Sequence, residues 1–285
     1  MNHGPTAQEA TGVGRLILGL DSVLVGILNV TPDSFSDGGE FFGVETAVAQ
    51  AEKMLDEGAH MIDVGGESTR PGSDPVSPEE ELRRVIPVVR GIFVARPEAI
   101  ISIDTYRAST AEAALDAGAR VINDVTALRG DPKMAGLVAE RGCPVVLMHM
   151  LGEPKSMQRD PRYENVVREV RDFLAGRVEH AVSAGVREEN VILDPGIGFG
   201  KTLRHNLELL NGLNVFIELG FPVLVGASRK CFLGKILGSD DAGDRLFGTV
   251  ATSVIAYERG ATLFRVHDIR ASKEALEVAA AVRQA

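Results

Sequence analysis

Residues 108–125 read Ala-Ser-Thr-Ala-Glu-Ala-Ala-Leu-Asp-Ala-Gly-Ala-Arg-Val-Ile-Asn-Asp-Val. The first ten are helix-patterned. Gly118 is the residue type that ends a helix in a left-handed turn, and 121–125 is a β-branched run carrying polar groups near its end. The same order of helix, glycine, short linker and apolar run extends in both directions. Apolar runs fall at 23–29, 60–64, 100–104, 121–125, 144–149, 191–194, 222–226 and 262–266, and helix patterns at 44–57, 79–95, 108–117, 133–141, 163–184, 203–219, 244–259 and 272–283. Six of these helices stop at a glycine: Gly58, Gly118, Gly142, Gly185, Gly220 and Gly260. Ser77-Pro78 reads as an N-cap followed by a first-turn proline. Most runs are apolar throughout, as strands of a parallel sheet covered on both faces require.

The length of 285 residues suits two domains of about 150 residues or one α/β barrel of about 250. Eight βα units with no break in composition predict a single (β/α)8 TIM barrel over 15–285, preceded by a disordered tail over 1–14. An open, doubly wound sheet shares the pattern, because periodicity does not count closure. Residues 15–20 read as an extra strand turning at Leu20-Asp21-Ser22, an N-terminal β-hairpin that would plug the barrel floor.

The chain has 30 Lys and Arg against 40 Asp and Glu, a net charge of −10. General binding to nucleic acid or anionic lipid is excluded, because that affinity comes from basic residues on phosphates. An anionic substrate would need locally concentrated positive charge. Cys143 and Cys231 lack disulfide-framework or metal-ligand spacing and read as free thiols of a reducing compartment. No apolar run approaches the ~20 residues of a membrane span, and the first residues lack the pattern of a signal peptide. A cytoplasmic enzyme is the expectation.

Catalytic groups of a barrel sit where strands end. Here the ends carry Asn29, Asp63, Asp104, Asn123 with Asp124, His149, Asp194, Ser228 with Arg229 and Lys230, and Arg265 with His267. The first six strands supply carboxylates, amides and one imidazole, while the last two supply the cations. A carboxylate and amide wall suits a flat heterocycle with amino and ring N–H donors, and a basic wall suits phosphate or carboxylate. Two loops are long and rich in functional side chains: Asn29-Val-Thr-Pro-Asp33-Ser-Phe35-Ser-Asp37-Gly-Gly39 and Gly65-Gly-Glu67-Ser-Thr69-Arg70-Pro71-Gly72. Their Gly, Pro, Ser and Asp are also ordinary turn residues. Residues 151–162 form another polar loop, with Lys155 and Arg159. Asp194-Pro-Gly-Ile-Gly-Phe-Gly-Lys201 is glycine-rich, but its spacing fits neither the dinucleotide nor the P-loop fingerprint.

The two long loops resemble the signature loops of dihydropteroate synthase. The resemblance continues, in family order, through Ser102-Ile-Asp104-Thr, Ile122-Asn123-Asp-Val125, Leu147-Met-His-Met150, the 194–201 loop, Ser228-Arg-Lys230 and Arg265-Val-His-Asp268. It implies a (β/α)8 barrel that condenses 6-hydroxymethyl-7,8-dihydropterin pyrophosphate with 4-aminobenzoate, with Mg2+ required. By that resemblance Asp104, Asn123 and Asp194 hold the amino and ring-nitrogen edge of the pterin, and Lys230 its carbonyl. Val125, Met148, Phe199 and Gly226 line the apolar part, and Arg265 stacks on the ring. Asn29, Arg70, Arg265 and His267 take the pyrophosphate, while Asn29 and Asp37 place Mg2+. Phe35, Thr69, Pro71, Ser228 and Lys230 shape the aminobenzoate site. Asp104, Lys230, Arg265, Asp37 and Arg70 are the expected catalytic set.

Developing charge on the pyrophosphate would be met by Mg2+, Arg265 and His267, and an Asp facing the ring favours cationic character at the departing CH2 carbon. The expected step is SN1-like, with no Ser, Thr or Cys nucleophile. Cys231 departs from the Ser or Thr expected after Ser-Arg-Lys. His149 is expected to pack rather than to ligate a metal, and Tyr106 and Asp124 read equally as supports of the site or as helix-start residues. The last two helices carry apolar faces, Leu246, Val250 and Val254 on one and Leu276 and Ala280 on the other, that read first as packing on the barrel; a homodimer through that side is implied by the resemblance. Pterin-dependent methyl transfer to a corrinoid protein and a silent pterin binder are rival readings. The loops at 33–37 and 69–70 and the basic wall argue against both.

Overall fold

The computed structural model describes residues 20–31, 39–68 and 75–285. Eight strands form in chain order: β1 Val23–Asn29, β2 Met61–Gly65, β3 Ile100–Asp104, β4 Val121–Asp124, β5 Val145–Met148, β6 Val191–Asp194, β7 Leu224–Val225 and β8 Leu263–Val266. All pairings are parallel, in the order β6-β5-β4-β3-β2-β1-β8-β7. The two ends of that sheet meet through a parallel bridge, Leu193 to Val223, where the Leu193 N–H donates to the Pro222 carbonyl at 2.9 Å. The sheet therefore curls into an α/β barrel of the TIM type, and the open doubly wound alternative falls away. The expected tail and hairpin lie outside the described residues.

Strand periodicity explains how the barrel fills. Val23, Val25, Met61, Val121, Val146, Ile192, Leu224 and Leu263 pack as one buried cluster inside the ring. Neighbouring positions face outward and join the larger core between strands and helices, where Ile62, Ile101, Ile103, Leu147 and Phe264 are fully buried. Side chains alternate along a strand. Two residues beyond the interior cluster, the same parity gives Asp63, Asn123, Met148, Asp194, Gly226 and Arg265, the polar mouth. The parity of Ile100 reaches Asp104 in the same way.

Helix punctuation follows the sequence signals. All six helix-ending glycines have positive φ, from 60° at Gly142 to 119° at Gly118. Ser77 caps the helix Pro78–Ala95, its Oγ accepting from the Glu80 N–H at 3.2 Å. The continuous helix expected over 203–219 is instead two, Leu203–Asn211 and Asn214–Ile217, broken at Gly212. That expected over 244–259 opens with a 3-10 turn, Gly243–Arg245, before Leu246–Glu258. A short helix, Cys231–Leu237, was not anticipated. Among the described residues no helix is long and apolar enough to cross a membrane.

Candidate active site

The mouth is organised by Asp63. Its side chain is 1% exposed, and one oxygen, Oδ2, accepts from Asn123 Nδ2 at 2.9 Å and from Arg265 Nε at 2.6 Å. Arg265 Nη2 donates to Asp104 Oδ2 at 2.7 Å. The ends of β2, β3, β4 and β8 are thus joined by one charge-assisted network. Asp63 Oδ1 is buried with no hydrogen-bond partner among the described residues, a condition native proteins tolerate rarely and often at functional sites.

On the far side, Asp194 Oδ1 accepts from the Gly196 N–H at 2.7 Å. Lys230 Nζ donates to the Ile197 carbonyl and stands 4.0 Å from the centre of the Phe199 ring. Val125, Met148, Met150 and Met157 form a separate buried apolar cluster, with Tyr106 and Phe199 against it. Asp104, Asn123, Asp194, Lys230 and Arg265 therefore come together at the mouth beside an apolar cluster.

Electrostatics follow from this burial. Desolvation pushes Asp104 up to about 7 against the pull of Arg265, with Asp63 adding to the rise. Burial also raises Asp194, opposed by Lys230, the Gly196 amide, Lys201 and Arg265. Desolvation brings Lys230 down to about 7 despite the opposing pull of Asp194. Burial alone would lower Arg265, but Asp63 and Asp104 outweigh it and hold the guanidinium charged. Strongly displaced titrations in one recess are a mark of a site built for chemistry.

Several expected residues occupy neighbouring positions. Asn29 ends β1 and is half-buried. Ser228 Oγ lies 3.0 Å from His267 Nδ1 and accepts from the His267 N–H at 3.2 Å, linking the ends of β7 and β8. Gly226 lines the wall beside Arg265, and a Cβ built on it would stand 3.8 Å from the Arg265 Cβ. Phe35, Asp37, Thr69, Arg70 and Pro71, and Asp33 with them, lie outside the described residues.

Arg229 corrects the expected basic wall. Its Nε donates to Asp268 at 2.9 Å, its N–H donates to Thr249 Oγ1 at 2.9 Å, and its φ is +55°. Its charge is already matched by Asp268, so it is not a spare cation at the mouth. Asp124 holds a turn, accepting from Thr126 and from the Leu128 N–H. Tyr106 donates to Glu67 at 3.1 Å, at the base of the second long loop. His149 is 6% exposed and meets Phe173 edge-on at 4.8 Å, so it packs as expected. Sequence reading placed Asp63 at a strand end and gave it no role; its partners lie 60 and 202 positions away, beyond any local spacing.

Among the described residues no group of three His, Cys, Asp or Glu could hold a metal ion. Mg2+ commonly takes one or two protein ligands and completes its shell with water and phosphate oxygens. The Asn29 carboxamide at the β1 end fits that sparse kind of donor set.

Fold and mouth together define a barrel enzyme for a flat, donor-rich heterocycle, and residues 25–267 match the family described as pterin binding enzyme. The dihydropteroate synthase of Haemophilus influenzae is 46% identical over 255 residues, covering 90% of this chain and 92% of that one. The structure of Xanthomonas albilineans dihydropteroate synthase with 4-aminobenzoic acid superposes with a TM-score of 0.87 at 46% identity, covering 93% of this chain and 94% of that one. The same organism's enzyme in complex with 7,8-dihydropteroate gives 0.84 at 44% identity, with coverage of 93% and 94%. The chain belongs to the dihydropteroate synthase family of transferases.

Proposed function

We propose that this chain condenses 6-hydroxymethyl-7,8-dihydropterin pyrophosphate with 4-aminobenzoate to give 7,8-dihydropteroate and pyrophosphate. The observation that carries the reading is the grouping of Asp104 with buried Asn123 and Asp194 beside Lys230 and Arg265 at one mouth. Asp104 and Asp194 are acceptors for the amino and ring N–H donors of the pterin, and Asn123 supplies one of each kind. Lys230 donates to the pterin carbonyl, and Val125, Met148, Phe199 and Gly226 cover the ring. A relative with 4-aminobenzoic acid and one with 7,8-dihydropteroate support both substrate classes.

Arg265 has a double task in this reading. It is paired with Asp63 and Asp104 at the mouth. Pterin donors would compete for Asp104, leaving the guanidinium anchored through Asp63 and turned toward ring and pyrophosphate. With Asn29, Arg70 and His267 it would meet the charge developing on the leaving group. Mg2+, held by Asn29 and Asp37, would supply Lewis-acid stabilisation of that leaving group. The carboxylates around the ring favour cationic character at the CH2 carbon, so the C–O bond breaks first and the amine attacks afterwards. Phe35, Thr69, Pro71 and Ser228 would shape the aminobenzoate site beside Lys230. No protein nucleophile is required.

A second copy of the chain is the proposed partner. The residues expected to form its interface turn inward instead: Leu276 is 1% exposed, and Val254 and Ala280 pack against the core. The exposed apolar residues are Phe247 (82%) and Ile255 (41%) on Leu246–Glu258, and Val278 (65%) and Val282 (73%) on the neighbouring helix Ile269–Gln284. Apolar exposure of this extent on two packed helices suits a homodimer interface, so the mass in solution should be twice that of one chain; a monomer contradicts it. The net charge of −10 suits neither nucleic acid nor anionic lipid as a general partner.

Turnover tests the reaction, with 7,8-dihydropteroate detected chromatographically. Asp104 must be ionised and Lys230 protonated, and both titrate at about 7 in the free protein. The kcat/KM for the pterin substrate should therefore peak near pH 7, falling below it as Asp104 takes a proton and above it as Lys230 loses one. A profile flat from about pH 6 to 9 contradicts these assignments.

A further inference from the structure

Lys201 is a buried cation that the proposed reaction does not use. It closes the glycine-rich loop that follows β6, and it is only 3% exposed. Its Nζ donates to the Phe199 carbonyl at 2.9 Å, lies 3.0 Å from His149 Nδ1 and reaches the His149 carbonyl at 3.4 Å. Burial, with Lys230 adding to it, lowers Lys201 well below the ordinary lysine value against the pull of Asp194, and its Nζ has three acceptors within reach. Burial, with Lys201 beside it, holds His149 down to about 2, so the imidazole is neutral and its Nδ1 lone pair can accept.

The loop is pressed against the chain that leaves β5. A Cβ on Gly196 would fall 1.9 Å from the His149 carbonyl oxygen, and one on Gly200 2.5 Å from that of Leu151. The Tyr163 hydroxyl also donates to the Gly200 carbonyl at 2.9 Å. From this loop hang three parts of the recess: Asp194 through the Gly196 N–H, Phe199 itself, and Lys230 through the Ile197 carbonyl.

We propose that Lys201 is a positioning residue for pterin recognition: its Nζ, held between His149 Nδ1 and the Phe199 and His149 carbonyls, rivets the 195–200 loop to the end of β5 and so sets Asp194, Phe199 and the Ile197 anchor of Lys230 together. This rests on the reading of the mouth as a pterin site. A second effect follows from charge. The cations acting on Asp194 are Lys230, Lys201 and Arg265, while Lys201 itself faces Asp194, Lys230 and His149, which also senses Arg129. Removing Lys201 takes away one of the three basic groups that oppose the burial-driven rise of Asp194.

The test compares Lys201→Met with the unaltered full-length protein, using pterin pyrophosphate binding by calorimetry from acid to neutral pH, and steady-state kinetics. Lys201→Met should weaken pterin binding by roughly tenfold to a hundredfold, the range of a lost charged hydrogen-bond set. The acid limb of pterin binding should move to higher pH, because Asp194 then protonates more readily. His149→Asn, which keeps an oxygen acceptor near the Nδ1 position, should bind pterin nearly as the unaltered protein does, whereas His149→Leu should share the loss. This pair decides the matter if Lys201→Met does not fold. A folded Lys201→Met with unchanged pterin affinity and acid limb overturns the proposal, as does equal binding by His149→Leu and His149→Asn. If the unaltered protein fails to bind the pterin pyrophosphate, the function reading falls as well.

Discussion

Asp104→Ala should abolish measurable pterin binding while the protein folds as before. Asp104 ends β3 with its carboxyl facing Arg265. Loss of an ionic acceptor for two ligand donors costs about 1.5–3 kcal/mol per bond, which predicts a fall in affinity of at least about a hundredfold. Stability should move the other way. Burial raises Asp104 to about 7, well above its ordinary 3.8, so the ionised carboxylate is disfavoured in the folded protein at neutral pH. A group whose folded value is raised weakens the fold above its unfolded value, and its removal relieves that cost. The melting temperature of Asp104→Ala should be unchanged or higher. Unchanged pterin affinity contradicts the recess as assigned, and a collapsed fold contradicts the electrostatic account.

Arg265→Ala should do the opposite to stability. Asp63 is 1% exposed and Arg265 is its counter-charge at 2.6 Å. Removing one partner of a buried pair leaves an uncompensated charge, at a cost of about 3–5 kcal/mol. Urea unfolding should register that loss, and turnover should fall with it because the leaving group loses its cation. The double variant Asp63→Asn with Arg265→Met removes both charges, so it should recover most of the stability and none of the activity. Recovery of turnover in the double variant would show that the guanidinium does no chemistry.

These contrasting outcomes reflect which parts of the molecule could be read along the chain. Helix ends were legible because Gly58, Gly118, Gly142, Gly185, Gly220 and Gly260 all take the positive φ that glycine alone adopts without strain. The mouth was legible because strand alternation carries the interior parity of Met61, Val121, Ile192 and Leu263 directly onto Asp63, Asn123, Asp194 and Arg265. What stayed hidden was long-range or short-lived pattern. The helical spacing of apolar residues runs on across Gly212, so the break there carried little signal. Cys231–Leu237, at seven residues, is too short to display a period. Arg229 looks like a third cation beside Lys230 until Asp268, 39 positions on, takes its charge. The Lys201 and His149 contact joins residues 52 apart and has no local signature at all.

The family resemblance read in the two long loops agrees with the comparisons, and the barrel supplies a recess suited to the reaction on residues outside those loops. Asp104, Asn123, Asp194, Lys230 and Arg265 come from five different strand ends or the loops after them, which explains why a spread of small motifs, rather than one fingerprint, carried the information.

Release of pyrophosphate from 6-hydroxymethyl-7,8-dihydropterin pyrophosphate, followed continuously with purified protein, tests the central claim most directly. The account predicts catalytic release that requires both 4-aminobenzoate and Mg2+, is matched one for one by 7,8-dihydropteroate, and is lost in Asp104→Ala. Folded protein that releases no pyrophosphate with both present, or releases it at the same rate without 4-aminobenzoate, would contradict it.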